Sequence, residues 1–499
     1  MVERFLNIAQ IRHVEAEALA KYKLDLMDEA GSSVARLVES ILTKGQKALV
    51  LVGRGNNGGD GVVAALKLYS LGYDVTVCAV AQKLNPHTEK LIAKFTKFGG
   101  RVLTRLPTKF DHYDMVIDAI LGIGIKGELE QRLIHLINAL NQSGKTIVAV
   151  DTPTGLDPFS GQVYGSAVRA DYTITFISDK PGFYTGYGTD LSGKVIVEQL
   201  VNLDKYSLSG EETATKVVAN DLDTINYTAL IRKIHHTNKG TFGKVAIIGG
   251  NSGMHGALYL ASRAAMLLGS GKVIMAPIDN KFLVDILTPE LMMARPKQIL
   301  ENLHEYSVVV IGPGLGTDDN ARKILTKLIH QKVNHQKVKF IFDADALNLL
   351  AANEQIHADF KLIPDKIITP HPGEAARLLE TTIDDVEQNR FDALNKLRVK
   401  FNTIVLLKGS GSLIEDNRYI YLNQTGNMAL SNAGQGDTLC GMIAAFVAQG
   451  MDSSSALRLG VYLHGKAAET LSASIGYNGI LATEIALTAR SLLNQLLYK

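Results

Sequence analysis

A chain of 499 residues is too long for one ordinary hydrophobic core and predicts two or three domains. With 46% apolar residues it reads as a soluble α/β protein, and a net charge of +2 excludes the basic footprint of a nucleic-acid binder. Two cysteines, Cys78 and Cys440, lie in no CxxC or Cys/His cluster, which excludes a disulfide framework and a structural zinc and points to a reducing compartment.

The opening residues, MVERFLNIAQIR, lack the apolar core of a signal peptide. The best membrane-span candidate, Ala257–Gly269, is too short and is broken by Arg263. The expectation is a cytoplasmic protein with no membrane partner.

Apolar residues at helical spacing (Val14, Ala18, Leu26, Val34, Leu37, Val38, Ile41) predict helix over residues 11–42, with a break at Gly31. Ala48–Val52 reads as a buried strand. It is followed by a glycine loop, GRGNNGGDG over Gly53–Gly61, and a helix from Val62 to about Tyr69. Gly53, Gly55 and Gly58 formally satisfy G-x-G-x-x-G, a weak signal alone. The next strand, Val75–Val80, offers no acid for a ribose hydroxyl, and Asn56, Asn57 and Asp60 crowd the loop with acceptors. Such oxygens suit a cation, or the hydroxyls and amide of a small ligand, better than a pyrophosphate.

Two later strands, Met115–Ile117 and Ile147–Val150, run into Asp118 and Asp151. One aspartate after a strand is usually a structural cap. In an open parallel sheet, however, loops at the carboxyl ends of strands share one crevice, so Asn57, Asp118, Asp151 and Thr154 are expected to converge.

GRGNNGGDG, DAILGIGIKG and VDTPTGLD, with LMDEAG at Leu26–Gly31, make residues 1–210 similar to the NAD(P)H-hydrate epimerase domain. The resemblance implies a Rossmann-like three-layer fold that interconverts the R and S forms of the hydrated nicotinamide cofactor. It implies a potassium ion on Asn57, Asp118 and Thr154, the last where Ser is usual. It also implies hydrate-binding positions at Asn56, Asn57, Gly58, Gly59 and Asp60, at Gly122, Ile123, Gly124, Ile125, Lys126, Gly127 and Glu128, and at Asp151. Epimerising a carbinolamine-type carbon requires loss and return of hydroxide. Asp151 is the candidate to trade a proton with it, and Lys126 is a candidate electrostatic helper, or else a solvated surface lysine.

Between Asn202 and Asn226 the sequence turns polar and irregular, which puts a domain boundary near residue 215. The expected domains are 1–215 and 216–499, with Val217–Val218 as a short strand of the second. Beyond it, strands Lys244–Ile248, Val308–Ile311, Phe340–Phe342, Ile367–Ile368 and Ile404–Leu407 each end in a glycine- or proline-bearing loop. An α/β sheet with its site along one edge is expected. A helix is predicted over Ala257–Leu268. In Gly426–Gly441 a small-residue turn ends in Asp437 ahead of an apolar helical run, a place suited to phosphate beside one carboxylate.

KGTFGKVAIIGG, GPGLG, DADALN, TPHPGEAARLL, LLKGSGSLI and GQGD, in this order over residues 225–499, resemble the ribokinase-like family and, within it, ADP/ATP-dependent NAD(P)H-hydrate dehydratase. The resemblance implies nucleotide binding at Lys408, Gly409, Ser410, Gly411, Ser412 and Gly436, and hydrate binding at Ala257, Gly316, His371 and Asp437. ADP or ATP would be the phosphoryl donor, with magnesium accompanying it, and Asp437 the base that takes the hydroxyl proton. Gln435 departs from the Ser or Thr expected in that turn, and His371, between two prolines, is alternatively a rigid-turn residue. A homo-oligomer is expected. The rival reading is an ordinary ribokinase-like kinase carrying a non-catalytic N-terminal binding module.

Overall fold

The computed structural model describes residues 5–23, 25–125, 127–206, 216–232, 235–281, 285–331 and 338–498. Lys126, and the part of the polar joint that holds residue 215, lie outside them. The chain divides into two compact units, Arg4–Ala214 and, grouped with the first three residues, Thr215–Lys499.

The first unit holds a seven-stranded, all-parallel sheet. Its strands are β1 (Lys47–Val52), β2 (Asp74–Ala79), β3 (Arg101–Leu103), β4 (Met115–Ala119), β5 (Thr146–Val150), β6 (Tyr172–Phe176) and β7 (Lys194–Glu198), in the order β3-β2-β1-β4-β5-β6-β7. Alternation along β1 shows why helices cover both faces. Ala48, Val50 and Val52 join a cluster with Val34, Val38 and Val62, whereas Leu49 and Leu51 join one with Leu136, Ile137 and Leu140. The strand order reverses between β1 and β4, and ligand crevices of doubly wound sheets open there.

Two expected boundaries differ from those observed. The chain breaks at Lys23, in the left-handed conformation, between helices Ile8–Tyr22 and Leu26–Ile41, so Gly31 is helical. Gly31 is small for packing: a Cβ there would lie 2.5 Å from Val63 on the neighbouring helix. That neighbour begins at Asn56 rather than Val62, so Asn56–Asp60 form its first turns and are not a loop. Its glycines admit close packing, since a Cβ on Gly58 would lie 2.2 Å from the Gly53 carbonyl.

The second unit carries a ten-stranded sheet. Its strands are β8 (Lys216–Ala219), β9 (Lys244–Gly249), β10 (Lys272–Pro277), β11 (Met292–Met293), β12 (Val308–Ile311), β13 (Lys339–Phe342), β14 (Lys366–Ile368), β15 (Ile404–Leu407), β16 (Leu413–Glu415) and β17 (Tyr419–Leu422). The order is β11-β10-β9-β12-β13-β14-β15-β16-β17-β8, with only β16 antiparallel to its neighbours. Val217–Val218 therefore belong to an edge strand of this sheet. The helix Gln435–Ala448 is apolar nearly all round because it is buried among the helices His255–Leu267, Ser453–Ile475 and Ala482–Leu497. Phe342, Phe360 and Phe401 pack edge to face on the other side of the sheet. Among the described residues no helix is long and apolar enough to cross a membrane.

Candidate active sites

In the first unit the site grows from three strand ends at the order reversal. After β1 comes the helix Asn56–Ser70, capped by Gly55, which has no side chain to satisfy the first free amides. Asn57 is buried with both amide atoms unpartnered, an arrangement that is costly unless a ligand completes it. Asp118, at the end of β4, is wholly buried. It accepts from the Thr154 amide at 2.8 Å, the Thr154 hydroxyl at 2.7 Å and the Ile120 amide at 3.2 Å. Burial pushes its carboxyl up to about 6 against those bonds, and among the described residues no basic side chain pairs with it. A buried carboxylate, a hydroxyl and an orphaned amide are an oxygen set that fits a monovalent cation. No group of three His, Cys, Asp or Glu side chains able to hold a metal occurs among the described residues.

Asp151 follows β5 in the left-handed conformation, φ +64°. Its Oδ2 accepts from the Ile123 amide at 3.2 Å, and a Cβ on Gly122 would lie 2.8 Å from that oxygen and 3.4 Å from Asn57. Gly122, Ile123, Asn57 and Asp151 thus share one wall. Oδ1 faces Lys180 at 3.1 Å, a completely buried lysine whose ammonium also donates to Thr175 and to the carbonyls of Phe176 and Ser178. The sequence reading missed Lys180; its only signal was a lysine just beyond β6, beside Pro181. Asp60 keeps part of its surface open, yet its carboxyl is enclosed. Burial raises it well above the usual range, and the charges of Asp151, Glu15 and Asp25 add to the effect. Ile125 is buried, while Gly124 and Gly127 meet nothing within 4 Å on the Cβ side.

In the second unit the helix Gln435–Ala448 starts from Gly434, φ +84°, with Asp437 in its first turn and no side-chain cap on its amides. Lys408, just past β15, reaches under this turn. Its Nζ lies 2.7 Å from Asp343 Oδ1, 3.8 Å from Glu374 Oε2 and 3.6 Å from where a Cβ on Gly436 would be. Burial pulls the ammonium down, but the charges of Asp343 and Glu374 outweigh it and raise Lys408. Asp437 is pushed up to about 7 by burial and by Asp343 and Asp345, with Lys408 opposing. Glu374 is likewise pushed up to about 7 by burial, opposed by Lys408. Asp343, Asp345 and Glu374 had no assigned role in the sequence reading, although they lie in quoted motifs.

Asp345 also accepts the Gly316 amide at 2.8 Å, and a Cβ on Gly314 would lie 3.1 Å from Ala257 Cβ. His371 has a structural job: its Nδ1 accepts the amides of Gly373 (3.0 Å) and Glu374 (3.4 Å), capping the helix Pro372–Leu379. Its ring is half-exposed, with Nε2 3.3 Å from Glu374 Oε1, and burial lowers its basicity. Gln435 is buried, with both side-chain polar atoms unpartnered.

Residues 23–182 match the family model described as YjeF-related protein N-terminus, and residues 245–490 match that of NAD(P)H-hydrate dehydratase. The bifunctional NAD(P)H-hydrate repair enzyme Nnr of Coxiella burnetii is 34% identical over 498 residues, covering 97% of this chain and 98% of its own. The enzyme of the same name from Vibrio cholerae is 35% identical over 499 residues, 98% of each. Among solved structures, the ADP/ATP-dependent NAD(P)H-hydrate dehydratase from Bacillus subtilis, co-crystallised with ATP/Mg2+, is 27% identical with a TM-score of 0.46. It covers 55% of this chain and 99% of that one.

Proposed function

Because this chain belongs to the family of bifunctional NAD(P)H-hydrate repair enzymes, matching two of them over 97% and 98% of its length, we propose that it returns both epimers of hydrated NADH or NADPH to the working cofactor. We assign epimerisation of the R and S forms to residues 1–215, and ADP- or ATP-dependent dehydration of the S form to residues 216–499. The chain is an isomerase and a lyase in one polypeptide, acting in the cytoplasm as a homo-oligomer. The observation that carries this reading is the full-length match to relatives named bifunctional NAD(P)H-hydrate repair enzymes.

In the first crevice Asp151, aimed along the Gly122–Ile123 wall, trades the proton that hydroxide needs to leave and return. The first turns Asn56–Asp60, with Ile125 and the stretch Gly122–Glu128, bind the hydrate. Asn57, Asp118 and Thr154 would hold potassium, which when bound neutralises the buried Asp118 carboxylate and fixes the strand ends.

In the second crevice Asp437, near neutral pH by burial, takes the hydroxyl proton as that oxygen attacks the terminal phosphate of the nucleotide. The amides of the Gly434–Gly436 turn receive the developing charge. The lone pair of the ring nitrogen then expels phosphate and restores the dihydronicotinamide. Lys408–Ser412 and Gly436 bind the nucleotide, and Ala257, Gly316 and His371 position the hydrate. Magnesium would accompany the nucleotide and offset its phosphate charge, while Asp343 and Glu374 hold Lys408 beside the turn.

Product analysis tests the reading against that of an ordinary kinase. Purified protein given hydrated NADH and ADP is expected to release free phosphate in step with restored cofactor. Accumulation of a stable phosphorylated metabolite would overturn dehydration.

A further inference from the structure

Arg390 is completely buried at the start of the helix Arg390–Phe401. Burying a guanidinium is unfavourable unless its donors are paired, and an apolar side chain would pack as well. Here the partners are specific. Nη1 donates to Glu387 at 3.1 Å, and Nη2 lies 3.5, 3.2 and 3.4 Å from the carbonyls of Leu407, Lys408 and Gly411. Three carbonyls of the segment leaving β15 therefore turn inward onto one cation. Gly409, φ +130°, is shaped around it: a Cβ there would lie 2.8 Å from Arg390 Nη1.

In a planar trans peptide the carbonyl and the next amide N–H point opposite ways. The inward Leu407 carbonyl turns the Lys408 amide outward, where it donates to the Pro370 carbonyl at 2.9 Å. The inward carbonyls of Lys408 and Gly411 turn the amides of Gly409 and Ser412 outward in the same way. Gly409 and Ser410 are exposed, so the Gly409 and Ser412 amides are the ones a phosphorylated ligand would meet, the Lys408 amide being taken by Pro370.

We infer that Arg390 is a positioning residue for nucleotide binding, setting the peptide orientation of the Lys408–Ser412 loop from behind without touching the nucleotide. The inference rests on the reading of that loop as the nucleotide site. Without the guanidinium these carbonyls would lose a buried charged donor, and the Lys408–Ser412 peptides would lose the contact that fixes their orientation.

The test uses the full-length chain, with ADP as the probe. Arg390→Met is expected to raise both the Kd for ADP and the KM for ADP by about tenfold or more, while kcat at saturating ADP stays within about threefold, because only ground-state binding is lost. Arg390→Lys, which keeps the charge and loses the fork, is expected to fall between the two. A purely structural arginine would lower the melting temperature and leave both constants unchanged, and that result overturns the inference alone. Wild-type protein that binds no ADP overturns the nucleotide reading and the inference together. If Arg390→Met does not fold, Arg390→Lys is read by the same constants, and wild-type values there overturn the inference.

Discussion

In the proposed mechanism Asp437 is the base on which dehydration turns. It is half-buried, in the first turn of a helix, and within reach of the charges on Asp343, Asp345 and Lys408. Asp437→Asn removes the base and leaves the amides of the turn in place. Its kcat is expected to fall by a factor of about 100 to 10,000 with the Kd for ADP nearly unchanged, as isothermal titration beside steady-state kinetics would show. The pH dependence follows from the same burial. A base works deprotonated, and this carboxyl is raised to about 7, so it is increasingly protonated below that pH. The dehydration rate should hold above pH 7 and fall by about tenfold per unit well below it. A profile flat from pH 5 to pH 8 would contradict the assignment. In the first unit, Asn57 and Asp118 make a different prediction. Potassium, but not lithium, should raise the melting temperature by a few degrees, and Asn57→Ala or Asp118→Asn should abolish the shift.

At the level of elements, the helix Asn56–Ser70 carries the first crevice and is held by its contact with the helix Leu26–Ile41. Gly31→Val forces these two helices apart at Val63. It should destabilise the first unit by about 1–3 kcal/mol and reduce epimerisation, with dehydration of the S form kept. Equal loss of both activities would refute the separation of roles.

Strands and their order-dependent crevices were legible in the sequence because buried parallel strands are near-continuous apolar runs ending in glycine or aspartate, as at Val50–Gly53 and Val150–Asp151. The misreading of Asn56–Asp60 as a loop has a physical cause. Asn and Gly disfavour helix in isolation, and here close packing on β1 and on the helix Leu26–Ile41 overrides that preference. Lys180 and Arg390 were not legible, since nothing local distinguishes a lysine or arginine destined for burial. Only the tertiary partners, Asp151 for one and the β15 loop carbonyls for the other, give them a role. His371 reads from the sequence first as a hydrate contact and only second as a rigid-turn residue; its capping bonds show the second job.

For the whole molecule, the proposed function gives each unit its own crevice and both the same damaged cofactor as substrate. The measurement that tests it most directly is the return of reduced-cofactor absorbance from a mixture of R and S hydrates with ADP, magnesium and potassium. Wild type, Asp151→Asn and Asp437→Asn would be compared side by side. Wild type is expected to show near-complete return, in a fast phase for the S form and a slower one for the R form. Asp151→Asn should show the fast phase with the slow one suppressed, and Asp437→Asn almost no return. No return in wild type, or an undiminished slow phase in Asp151→Asn with full return in Asp437→Asn, would contradict it.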